Sequence, residues 1–228
     1  MKKVVVLLVV LLAAFTMFAG TLVIKGSNTI FPIAQLWIEE LKKINPDFDA
    51  TLEGAGSSTG ITAIFNHTTD IANASRWLKD KEVTKMNEEG MYIMPIVLGY
   101  DGIAIIVNPS IGKTVGNLSV EDLKNIYTGK YSYWNQVNPN LQKNRIVVYS
   151  RNTASGTYET FETKVMGGEK MSPYVKMVES TQFELDSVAQ NPNAIAYVGA
   201  GYVNDKVHVV TVENVYPTKA NILSFEYP

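Results

Sequence analysis

Hydrophobic residues are spaced along this chain in a repeating order of strand, polar turn and helix. Thr21 to Lys25 reads as a buried strand, broken by Gly26-Ser27-Asn28-Thr29. Ile33, Ala34, Trp37, Ile38, Leu41 and Ile44 then fall on one face of a helix, which Asn45-Pro46-Asp47 ends. Phe48 to Leu52 is a second strand. Gly54 to Gly60 turns into a helix carrying Ile61, Ile64 and Phe65, and Asp70-Ile71-Ala72 begins a third strand. This alternation predicts an α/β fold with mostly parallel sheets. Met91 to Leu98 and Gly102 to Val107 read as two further strands, joined at Gly99-Tyr100-Asp101. Ser119 caps a short helix, with Asp122 closing a capping box and Gly129 stopping it. Arg145 to Tyr149, Ala194 to Val198 and Val207 to Val212 are strands. Helices are expected from the Arg151–Thr157 turn to about Met166 and over Thr181 to Gln190.

The start of the chain follows another pattern. Met1-Lys2-Lys3 precedes an apolar run from Val4 to Phe18, interrupted by Thr16, and small residues Ala19-Gly20 follow. This is the layout of a secretory signal peptide, with cleavage expected after Ala19. The run is short for a bilayer span, which needs roughly 20 residues. Residues 1–19 are therefore set apart from the fold, and the remainder is expected to work outside the cytoplasm.

Composition narrows the partners. The 228 residues are 46% hydrophobic and 18% charged, the makeup of an ordinary globular protein. Net charge is -2; removing residues 1–19 takes away two lysines and no acid, leaving -4. Such a balance gives no general hold on nucleic acid. There are no cysteines, which excludes disulfides, thiolate chemistry and the acylation site of a lipoprotein. No metal-binding or cofactor motif is read, so no cofactor is expected.

The chemistry lies in a turn that occurs three times: Ser27-Asn28-Thr29, Gly56-Ser57-Ser58-Thr59-Gly60, and Arg151 through Ser155-Gly156-Thr157. Each follows a strand and opens a helix. A helix start presents unpaired N–H groups at the positive end of the macrodipole, and Ser and Thr add hydroxyl donors. In a parallel sheet such turns gather at the carboxyl edge. Arg151 can add two parallel hydrogen bonds to an oxyanion. Two other motifs compete. Gly54-x-Gly56-x-x-x-Gly60 has a loose likeness to a dinucleotide loop, but after the second strand of an exported chain. Gly56-x-Ser58-x-Gly60 matches a hydrolase nucleophile elbow, with His208 the only downstream histidine near a strand.

At these residues the chain resembles the periplasmic phosphate-binding proteins of ABC transporters, of the compact type. The likeness runs in order through Gly26–Thr29, Gly54–Gly60, Asp70 to Ser75-Arg76, Asp101-Gly102-Ile103-Ala104, Tyr127–Lys130 with Trp134, Arg151 with Ser155-Gly156-Thr157, and Ala196-Tyr197-Val198. It implies a two-lobed type II binding-protein fold, each lobe a mostly parallel sheet flanked by helices. Lobe one is expected over 20–99 and 202–228, and lobe two over 100–201. The implied role is capture of inorganic phosphate between the lobes, by a monomer in the periplasm, and delivery to a membrane permease. Sulfate or molybdate is the alternative oxyanion.

The resemblance implies phosphate contacts from Ser27, Thr29, the N–H of Ile30, Ser57, Arg151, Ser155, Gly156 and Thr157, with Asn28 and Ser75 as possible additions. Some members carry an acid after the serine of the third strand, which accepts the phosphate proton and rejects sulfate. Here that position is Arg76, which cannot accept a hydrogen bond. Arg76 is then either a second cationic ligand or an ion-paired residue pointing to solvent, and Asp101 is the candidate replacement acceptor. The family also continues past a segment like Phe225-Glu226-Tyr227-Pro228, so the expectation is a lobe one truncated at its C-terminal end, or else a lean one.

Overall fold

The structure, a computed structural model, describes residues 20–228. The expected signal peptide lies outside the described residues.

The first lobe is built on a three-stranded parallel sheet of order β2-β1-β3, from β1 (Leu22–Gly26), β2 (Ala50–Gly54) and β3 (Ile71–Asn73). Leu22 pairs with Ala50, and Ile24 with Ile71. Helix α1 (Phe31–Ile44) connects β1 to β2, and α2 (Ser57–Phe65) connects β2 to β3. Pro32 fits the first turn of α1, where no intrahelical N–H partner is lost. Helix α3 (Asp80–Glu88) follows β3.

The second lobe holds a six-stranded sheet of order β5-β9-β4-β8-β6-β7. Its strands are β4 (Ile103–Val107), β5 (Asn117–Leu118), β6 (Val147–Arg151), β7 (Lys176–Val178), β8 (Ala194–Gly199) and β9 (His208–Val212). Strand β4 runs antiparallel to both β8 and β9, while the pairs β5–β9, β6–β7 and β6–β8 are parallel. Its helices are α4 (Pro109–Val115), α5 (Val120–Thr128), α6 (Trp134–Val137), α7 (Gly156–Phe161) and α8 (Thr181–Gln190). Helix α7 widens into a π-type turn over Glu162–Met166. The Ser119–Asp122 capping box and the left-handed Gly129 stop frame α5, as the sequence predicts.

Strand β8 is buried along its whole length, so helices cover it on both sides. On one face Phe161 stacks on Tyr197, ring centroids 4.0 Å apart, with Tyr127 4.6 Å from Phe161. On the other face Leu185 and Val188 of α8 pack with Ala196 and Val198. Two tyrosines pin the strand that carries Arg151: Tyr127 Oη donates to the Tyr149 carbonyl at 3.0 Å, and Tyr197 Oη pairs with Ser150 Oγ at 2.7 Å.

Three expectations change. Strand β9, expected in lobe one with the rest of 202–228, joins the second sheet beside β4. Its Val209 and Val210 complete the buried layers of the second lobe, which the short first sheet does not offer. After β9 a short helix, α9 (Lys219–Leu223), leads to a tail whose Tyr227 Oη donates to the Ile103 carbonyl at 2.9 Å. The run 91–98 forms no strand: Pro95 interrupts it, and β3 pairs with β1 alone among the described strands. Lastly, the apolar stripe of α1 is buried only at Ala34, while Trp37 remains 47% and Ile44 82% exposed.

The aromatic stack should dominate the stability of the second lobe. Phe161→Ala is expected to cost about 3–5 kcal/mol, read as a lowered midpoint in urea unfolding.

Candidate functional site

The three hydroxyl-rich turns all meet along the seam between the lobes. In the first, Ser27 is buried; its N–H donates to the Asn73 carbonyl at 2.8 Å, and its Oγ accepts the Thr29 N–H at 3.2 Å. Ile30 is the N-cap residue of α1. In the second, Ser57 opens α2 fully buried; its Oγ accepts the Ser75 N–H at 3.0 Å and lies 3.2 Å from Ser75 Oγ. In the third, Ser155 caps α7 by accepting the Tyr158 N–H at 3.3 Å. A hydroxyl that accepts in this way still has its own proton to donate outward. The first-turn N–H groups of all three helices have no acceptor within their own helix.

Contacts across the seam draw these turns together. Thr29 Oγ1 lies 3.2 Å from Thr157 Oγ1. Arg151 Nη2 donates to Asn28 Oδ1 at 3.1 Å, and the Ser58 N–H donates to the Ala154 carbonyl at 3.0 Å. Tyr202 Oη donates to the Asn28 carbonyl. Two glycines make the approach possible. Gly56 has φ +98°, and a Cβ there would stand 2.5 Å from the Ala154 carbonyl oxygen. A Cβ on Gly156 would stand 2.4 Å from Ser75 Oγ and 2.6 Å from Ser57 Oγ. The structure therefore brings Ser27, Asn28, Thr29, Ser57, Ser75, Arg151, Ser155, Gly156 and Thr157 to one place.

Arg151 is the charge in that place. It is buried, with Nη1 donating to Thr181 Oγ1 at 2.7 Å and Nη2 to the Glu179 carbonyl at 2.6 Å. Its Nε has no hydrogen-bond partner among the described residues. Burial lowers its pKa, opposed by the negative potential of Glu184. Nothing in the spacing of the chain singled out Glu184, which is fully buried on α8. The available signal was an acid four residues before Val188, on the apolar face of a helix.

Arg76 is ion-paired, as one of the two expectations had it, but not in solvent. It is neither a ligand of the cage nor turned to solvent: its side chain is 5% exposed. Nη1 and Nη2 hold the two oxygens of Glu82 at 2.8 and 2.9 Å. Nη1 also donates to the Trp77 carbonyl and Nη2 to Ser58 Oγ. Nε lies 3.0 Å from Glu159 Oε2, an ion pair outside hydrogen-bond alignment. These contacts occupy the guanidinium on all sides. Burial works against its charge, but Glu82 and Glu159 outweigh it and raise the pKa. Glu159 belongs to α7 and also pairs with Lys79 Nζ at 2.8 Å, so this cluster ties the lobes together outside the cage. Glu82 accepts the Lys79 N–H at 2.8 Å at the start of α3. Ser58 Oγ thus faces a cationic donor, which cannot serve as the base a hydrolase nucleophile needs.

Asp101 sits just before β4, beside the end of β8. Its Oδ2 and the Thr29 Cγ2 methyl both border the position a Cβ on Gly199 would take, at 2.7 and 3.5 Å. The residue is exposed overall, yet burial of its carboxylate pushes the pKa up to about 6, against the opposing pull of the nearby Gly102 and Ala200 backbone.

Comparison with known proteins places the chain in a family. A model described as a PBP superfamily domain covers residues 18–225. The chain belongs to this superfamily. Among its relatives in the superfamily are the phosphate-binding protein PstS of Staphylococcus saprophyticus, 31% identical over 89% of this chain and 65% of that one, and PstS of Borreliella burgdorferi, 30% identical over 90% of this chain and 74% of that one. A solved phosphate ABC transporter substrate-binding protein of Clostridium perfringens, with bound phosphate, superposes with a TM-score of 0.81 at 30% identity, covering 91% of this chain and 82% of that one. These PBP superfamily relatives are named as binding proteins, not enzymes, and their fold is the two-lobed type II arrangement. The chain spans about two-thirds of the length of the curated relatives it matches, 65% and 67% for the first two.

Two outcomes check the seam. Gly156→Val should hold the lobes apart, seen as an increased radius of gyration in small-angle scattering. Asp101 has its pKa raised from 3.8 to about 6, so the native state binds the extra proton between those values. Stability relative to Asp101→Asn should therefore fall as pH rises through that window and stay lower above it. Urea midpoints of both proteins at pH 4 and pH 8 measure the difference.

Proposed function

We propose that this chain is an extracytoplasmic receptor that closes its lobes on inorganic phosphate and delivers it to the permease of an ABC transporter. The observation that carries the reading is the meeting of three helix starts around the buried Arg151 guanidinium. The cage is rich in hydrogen-bond donors. It offers first-turn N–H groups, the hydroxyls of Ser27, Thr29, Ser57, Ser75, Ser155 and Thr157, and one cation. A hydrogen bond to a charged group contributes roughly 1.5–3 kcal/mol net, so about four reach the ~8 kcal/mol of a micromolar site. The net negative charge of the chain gives no long-range attraction, so capture depends on this short-range geometry. The names of the relatives support phosphate among oxyanions.

Closure buries the anion, and opening returns it. In this reading Asp101, bordering Thr29, is the acceptor that a protonated oxyanion finds and sulfate does not. The apolar segment at the start of the chain directs export to the periplasm, and the receptor works as a monomer.

Titration calorimetry of the full chain with phosphate and with sulfate tests this. Binding of phosphate with little or no heat from sulfate is expected; absence of phosphate heat overturns the reading. Arg151→Lys should weaken phosphate binding at least about tenfold, since a bidentate fork becomes a point charge. Ser155→Asp should abolish it by placing a carboxylate at the start of α7, where the anion is expected.

A further inference from the structure

Glu184 stands outside the donor cage, in the first turn of α8. It is 0% exposed, and neither carboxyl oxygen has a hydrogen-bond partner among the described residues. Three residues earlier, on the same face of the helix, Thr181 Oγ1 accepts Arg151 Nη1 at 2.7 Å. Arg151 is also buried, and its Nε lacks a hydrogen-bond partner too. An acid and a base thus share one buried region, each with unsatisfied capacity and no hydrogen bond between them. An apolar residue would fill this core position without that cost.

The surroundings single out Arg151 as the partner. From α5 and β8, the tyrosines that bear on Glu184 are Tyr127 and Tyr197, whose hydroxyls are committed to the Tyr149 carbonyl and to Ser150 Oγ. Strand β4 is wholly apolar in this sheet, and on β7 the exposed Lys176 lies over the Tyr149 ring. On α8 itself, Asp186 is held by Gln182 at the helix surface. Burial pushes the Glu184 carboxyl well above the usual carboxylate range, and Arg151 alone pulls it back.

We infer that Glu184 is the proton-exchanging counter-charge of Arg151: where the pH leaves it ionised toward the guanidinium in the anion-free cleft, it takes up a proton when an oxyanion claims that guanidinium. The inference rests on the phosphate reading above. With the anion in place, an ionised Glu184 would add a second negative charge to the same low-dielectric region, with Arg151, its only supporting cation among the described residues, already engaged. One proton then enters with each anion, over the pH range between the two states of the carboxyl. Glu184 is a positioning residue in this scheme, acting through Arg151 and not touching the ligand.

The test is calorimetry of the full chain with inorganic phosphate, from pH 6 to pH 9.5, in buffers of different ionisation enthalpy, for wild type and Glu184→Gln. The titration of phosphate itself is common to both and cancels in the comparison. Wild type is expected to take up as much as one proton more than the variant, and to lose affinity at alkaline pH by as much as about tenfold more per pH unit. Equal proton counts and parallel pH profiles overturn the inference. If Glu184→Gln does not fold, carbon-13 NMR of the glutamate carboxyls in wild type gives the same answer. Phosphate should move the Glu184 titration to higher pH, and an unmoved titration overturns the inference. Absence of phosphate heat in wild type is a different result, and it overturns the functional reading together with this one.

Discussion

The arrangement of the seam follows from the burial of one guanidinium. A cation removed from water must find acceptors, and Arg151 finds three on two segments: the Thr181 hydroxyl and Glu179 carbonyl on one, the Asn28 side chain on the other. The first two belong to the second lobe and fix the fork. The third belongs to the first lobe and draws β1 and its turn to the fork. The tyrosine hydroxyls that anchor Tyr149 and Ser150 keep the supporting strand in register, so the orientation of Arg151 is set by the core beneath it. Donors elsewhere in the seam gather where this positive charge already stands.

Much of this was legible in the chain. A glycine and hydroxyl cluster after an apolar strand reads as a turn, and the helix-spaced apolar residues that follow make it a helix start, so the three helix starts follow from local pattern. The Ser119–Asp122 box and Gly129 were legible for the same reason. What escaped was long-range. Whether Arg76 is a ligand or an ion-paired residue stays open in the sequence, because its partners Glu82 and Glu159 lie 6 and 83 positions away. Strand β9 could join either sheet on its pattern alone; pairing with β4 decides it, and no local rule encodes that choice. Residues 91–98 have strand composition, but a strand needs an edge to pair with.

The two lobes divide the physical work unequally. The second has a sheet buried on both faces and a stacked aromatic centre, and it supplies the cation. The first has three short strands and a helix whose apolar stripe faces outward, and it supplies hydroxyls and amides. A rigid charged half meeting a lighter half of hydrogen-bond donors lets the small groups adjust while the charge stays fixed.

Glu159 answers both Arg76 and Lys79 across the seam. Glu159 and Lys79 are partly open to water, so dissolved ions compete for them over a Debye length of about 8–10 Å. They lie outside the cage, so this competition would loosen the tie between the lobes without touching the cage residues. Under the proposed reading, dissolved salt would then act on how long the lobes stay together and not on which groups line the cage.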